Sequence, residues 1–104
     1  MTIDEIKSRN SAAGKKFFDA SQMRQWHSRV SSKVHEGPGG IFFVTSEPNY
    51  DGTVRLYSVR RFVPETGAIE TASWGKYSTA ASAQSLAKTL ALLVRQPKKV
   101  SDES

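Results

Sequence analysis

Between Ile41 and Trp74 the chain carries three runs rich in β-branched and aromatic residues, IFFVTSE, TVRLYSVRRFV and AIETASW, separated only by PNYDG and PETG. That spacing constrains the fold more than any other feature. Such side chains suit a pleated, half-buried surface, and connections this short join neighbouring antiparallel strands. In PETG (64–67) the proline and glycine stand where a type I turn followed by a left-handed residue wants them. The segment therefore predicts strands at 41–47, 53–63 and 68–74, a three-stranded antiparallel meander.

Helical signals flank this block. TIDEIKSRN opens with Thr2 and Glu5 at capping-box spacing, with Asp4 and Glu5 in a first turn and Lys7 and Arg9 in a last one, which predicts a short helix at 3–9. A second start follows at Asp19 and Gln22, and Met23, Trp26 and Val30 recur at i, i+3 and i+7, predicting a helix at 20–30. EGPGG at 36–40 breaks the chain. YSTAASAQSLAKTLALLVRQ carries the clearest helix: Ser78 or Thr79 caps it, and Ala80, Ala83, Ala87, Leu90 and Val94 form one stripe, widened by Leu86 and Leu93. Arg95 suits its C-terminal end and Pro97 stops it. The fold class expected is α+β, with one or two N-terminal helices, the three-stranded meander and a C-terminal helix packed on the sheet. One domain at 1–97 is expected, with 98–104 as a flexible polar tail.

Composition bounds the function classes. The chain has 104 residues, 24% of them charged and 38% hydrophobic, the balance of a soluble globular domain. No apolar run is long enough to span a bilayer, and no basic-then-apolar start marks a signal peptide. With no cysteine there is neither a disulfide framework nor a thiolate metal site, and a cytoplasmic location is the expectation. The net charge of +5 raises the prior for a polyanionic partner. Its distribution is uneven: residues 1–36 hold seven Lys or Arg against four acids, residues 37–77 four against four, and residues 78–104 four against two. The excess lies in the flanks, not in the strands.

The residues offer no catalytic or metal centre. His27 and His35 have no acid placed to orient them and no set of ligands at zinc spacing, so both are expected as surface or partly packed side chains. GPGG lacks the lysine and hydroxyl residue of a phosphate loop and reads as a turn. DG at 51–52 lacks the alternating oxygen ligands of a calcium loop. No serine is marked as an activated nucleophile. No enzyme activity and no cofactor is expected.

The strand alternation leaves neither sheet face purely apolar. Val54, Leu56, Ser58, Arg60 and Phe62 share one face of the second strand, and Arg55, Tyr57, Val59, Arg61 and Val63 the other. The second face is expected under the N-terminal segment or under a partner. Phe42, Tyr57 and Trp74 with Arg55 and Arg61 would form an aromatic and basic platform of the kind that stacks bases and follows phosphates. The alternative is that these aromatics are core and the arginines lie along them as cover.

The segment RLYSVRRFVPETGAIETASWGKYSTAASAQSLAKTLA resembles the three-stranded sheet plus helix of arm-type, AP2-like DNA-binding domains, in the order basic strand, turn, strand and helix. The element order is also similar to double-stranded RNA-binding domains, but the helix opening STAASAQS lacks their lysine cluster. The whole chain resembles a set of short uncharacterised proteins of phages and plasmids, carried by IKSRN, FFD, MRQWHSRV, EGPGGIFFVTSE and VRRFVPETG. That resemblance implies an accessory gene of a mobile element.

The function expected is therefore a small basic, non-enzymatic nucleic-acid-binding protein of a mobile element, with DNA ranked ahead of RNA. The binding residues expected are Arg55, Tyr57, Arg60, Arg61, Trp74 and Lys76 on the sheet, and Lys15, Lys16, Arg24 and Arg29 for phosphate contacts. The alternative is a protein-interaction module that inhibits or redirects a host protein, with Trp and Arg as anchors, possible also as a homodimer. No membrane partner is expected.

Overall fold

The structure, a computed structural model, describes residues 1–25 and 27–93. In chain order it has α1 (Ile3–Ala12), α2 (Ala20–Gln25), β1 (Arg29–Gly37), β2 (Gly40–Pro48), β3 (Arg55–Val63), β4 (Ala68–Tyr77) and α3 (Ala80–Leu92). The four strands form one antiparallel sheet in the order β1-β2-β3-β4. The three-stranded meander is thus corrected to four strands, and the fold stays α+β. The predicted end of the last helix at Arg95 and Pro97, and the tail at 98–104, lie outside the described residues.

The missed strand has a physical reason. Val30 follows Met23 and Trp26 at helical spacing, so the segment reads as helix, yet α2 ends at Gln25. From Arg29 the chain extends and pairs with β2, Val30 opposite Thr45 and Val34 opposite Phe43. The two-residue step on β2 against a four-residue step on β1 is a bulge, and it erases the period-2 pattern by which a strand is recognised. What selects the strand is tertiary: β2 is almost wholly buried and its edge groups need a partner.

Successive residues of β2 serve opposite cores. Phe42 and Val44, with Val59, meet Ala83, Ala87 and Ala91 of α3, flanked by Tyr57, Tyr77, Leu86 and Leu90. Ile41 and Phe43, with Phe62, meet Ile6 of α1, flanked by Phe17, Phe18, Val34 and Ile69. The alanine stripe lets α3 sit close to the sheet, as its small side chains predict. Both faces are therefore covered. The N-terminal segment covers the Phe62 face, and α3 covers the Val59 face, where that segment or a partner was the expectation.

Three local devices hold these layers in place. The Thr2–Glu5 capping box starts α1, and Thr79 caps α3 by accepting from the Ser82 amide. Asn10, buried on α1, donates to the Gly67 carbonyl at 2.8 Å and ties α1 to the β3–β4 turn. Gly39 donates its amide to the Ala91 carbonyl at 2.9 Å, and a Cβ there would stand 2.1 Å from the Leu90 oxygen. The glycine-rich GPGG segment is thus the seat of the α3 C-terminal turn. No helix among the described residues is long and apolar enough to cross a membrane.

Candidate nucleic-acid interface

Strand alternation from Ile69 would place Trp74 on the α3 face, beside Tyr57 and Phe42. A bulge decides otherwise. Arg60 pairs with Thr71 but Val59 pairs with Ser73, so β4 carries one extra residue between them. This resets the alternation and turns Trp74 to the Arg60 face, as bulges re-aim side chains. Ser58 secures the irregular segment by accepting from the Gly75 amide at 2.7 Å, and Gly75 takes a positive φ of 55°.

Arg60 is the centre of the resulting site. Its side chain is 3% exposed, an unusual place for a guanidinium. Nε donates to Thr45 Oγ1 at 2.9 Å and Nη1 donates to Thr71 Oγ1. Nη2 is buried with no partner. The guanidinium carbon lies 4.8 Å from the Trp74 ring centroid and 5.2 Å from that of Phe17, a cation between two aromatic rings. Among the described residues no carboxylate lies within ion-pair distance, and burial pushes the pKa down to about 10. Arg60 thus remains charged at neutral pH, with hydroxyls and π-faces in direct contact and the Glu47 charge acting from further away.

Around it is an open cleft of about 280 Å³ lined by Phe17, Gln22, His27, Ile69 and Trp74. Trp74 is 52% exposed. His27, expected as a surface or partly packed side chain on the predicted helix, lies instead in the loop after α2, buried and stacked on Phe17 with ring centroids 3.9 Å apart. Its Nε2 donates to the Phe17 carbonyl. Burial first, and then the Arg60 charge, hold its pKa below the usual imidazole value. Lys15 and Lys16, which precede Phe17, and Arg24 on α2 are exposed on the segment that forms one wall.

The other expected binding residues fall elsewhere. Phe42 and Tyr57 pack against α3, so the five-residue platform that included them does not form. Arg61 is paired with Glu70 at 3.0 Å. Lys76 is exposed on β4, its Nζ 5.7 Å from the Tyr77 ring centroid. Arg55 is held by Ser46 and Ser28 and shares a separate cleft with Arg29. The structure thus joins Arg60 with Trp74, and Arg29 with Arg55 and Tyr57, on opposite faces. Phe17, Gln22, His27 and Thr71 belong to the first site and were not singled out as binding residues. Among the described residues no group of three or more His, Cys, Asp or Glu is placed to hold a metal.

Over residues 2–88 the chain matches the model of a family of unknown function (DUF7447), and it belongs to that family. No curated protein and no solved structure matches it.

Proposed function

We propose that this member of a family of unknown function binds nucleic acid, DNA ahead of RNA, by stacking an unpaired base on Trp74. The observation that carries the reading is the half-exposed indole held over a buried arginine that has no ion-pair partner among the described residues. A base laid on the indole gains stacking of about 1–3 kcal/mol, whatever its identity. The Arg60 charge beneath makes the site electropositive, and Lys15, Lys16, Arg24 and Lys76 supply exposed cations nearby in the chain for the phosphates. A role in a mobile element is what the resemblance to short phage and plasmid proteins implies.

The test is fluorescence anisotropy with labelled single-stranded DNA, duplex DNA and RNA at roughly 50 and 200 mM salt, where phosphate contacts reveal themselves. Single-stranded DNA is expected to bind best and to weaken with salt, and Trp74→Ala to lose about ten-fold or more. Absence of binding at the lower salt, or a Trp74→Ala variant that binds like the parent, overturns the reading.

A second reading has its own observation. Leu92 and Leu93 are exposed at the end of α3, and Leu93 with Phe42 and Leu90 lines a cavity of about 370 Å³ beside β4, an edge strand. Apolar surface next to an edge suits a protein partner, including a second copy of the chain. Light scattering at high concentration tests the dimer: a strict monomer argues against it.

A further inference from the structure

We infer that the cleft between the start of β1 and the first turn of α3 is a phosphate-binding site, separate from the Trp74 site. The cleft measures about 250 Å³, and Arg29, Ser31, Ser46, Arg55, Ala80 and Gln84 line it. It holds two guanidinium groups and no carboxylate. Neither arginine forms an ion pair among the described residues. Their repulsion is felt: after burial, the Arg29 charge is the largest influence lowering the Arg55 pKa. Two like charges facing one small space raise the free energy of the empty site, and a dianion between them removes that cost.

The groups are also preorganised. Arg55 donates from Nε to Ser46 Oγ at 2.8 Å, from Nη2 to the Ser46 carbonyl at 3.2 Å and from Nη2 to Ser28 Oγ at 2.7 Å. Both hydrogens of Nη1 remain for a ligand. Gln84 is fixed from two sides: its Nε2 donates to Ser31 Oγ at 2.8 Å and its Oε1 accepts from His35 Nε2 at 2.7 Å. The bulge in β1 is what brings Ser31 to that position. Beside the arginines α3 begins, with no acidic residue in its first turn, so the positive end of its dipole adds to theirs. A phosphate monoester matches this site in charge: the exposed Arg29 can offer it a bidentate fork, and Arg55 a contact through Nη1.

The experiment titrates inorganic phosphate into the full chain while following the Arg55 Nε–H and Gln84 side-chain amide resonances, with chloride at matched ionic strength as control. Saturable shifts with phosphate alone are expected. Arg55→Gln, and independently the exposed Arg29→Gln, should each weaken binding at least about ten-fold. Trp74→Ala should leave it unchanged, so failure of the Trp74 site and failure of this one are distinguishable. A 5′-phosphorylated oligonucleotide that competes where its 5′-hydroxyl counterpart does not assigns the phosphate to a nucleic-acid end; competition by neither assigns it to a small phosphorylated ligand. Shifts that chloride reproduces, or that survive both arginine substitutions, overturn the inference.

Discussion

Trp74 lies over the Arg60 guanidinium, 4.8 Å from ring centroid to the guanidinium carbon, although an uninterrupted β4 would place the two on opposite faces of the sheet. The bulge that brings them together leaves the indole half exposed and the cation buried. Keeping that cation out of water is costly. A pKa pushed down to about 10 corresponds to on the order of 3 kcal/mol of destabilised charge.

This cost separates stability from binding. Arg60→Met keeps most of the packing volume and removes both the buried charge and the unpartnered Nη2. Buried charges replaced by apolar groups are often neutral or stabilising. The variant is expected to unfold in urea within about 1 kcal/mol of the parent, or later, while losing affinity for single-stranded DNA. A large loss of stability with binding intact would show that Arg60 is structural.

Asn10 anchors the N-terminal cover. Asn10→Ala leaves the Gly67 carbonyl without its donor and opens a cavity under α1. A cost of about 2 kcal/mol is expected in chemical denaturation. Faster hydrogen exchange should be concentrated in α1 and the β3–β4 turn, the two elements that the bond connects.

Gly39→Ala tests the seat of α3. The new methyl would meet the Leu90 and Leu93 carbonyl oxygens at 2.1 and 2.3 Å, backbone atoms that cannot turn aside. Strain of about 1–3 kcal/mol is expected, read as a lower midpoint in urea. An unchanged midpoint would mean that the end of α3 moves freely.

Glu47 carries a pH dependence. Its Oε1 is buried without a partner, and burial raises its pKa despite the charges of Arg60 and Arg55. A carboxyl whose folded pKa is raised favours folding below its unfolded pKa, and that contribution is lost as pH rises through the folded value. Glu47→Gln should therefore stabilise the protein at pH 7 by about 1 kcal/mol, or roughly 4–8 °C in Tm. The gain should vanish below about pH 4, where both side chains are neutral. Equal Tm differences at both pH values would refute the assignment.

Much of the architecture is written in local pattern. Thr2 and Glu5 specify the start of α1, and Thr79 with the alanine stripe specifies α3 and its apolar face. The β-branched and aromatic runs separated by short turns specify β2, β3 and β4. These signals are legible because each depends on neighbours in the chain, through capping, helical period or turn chemistry.

What the tertiary structure decided lies where pairing overrides pattern. Arg29–Gly37 became a strand because the edge of β2 needed hydrogen bonds, and its bulge hid the alternation. Arg60 was placed on a face by alternation, but nothing local revealed that Phe17 and Trp74 would enclose it. The bulge at Thr71–Ser73 is set by cross-strand register, and a single added residue moved Trp74 from one side of the sheet to the other. Side-chain chemistry is local and so can be read along the chain. Which side chains meet depends on register and on what covers each face, and those are settled only when distant segments pack.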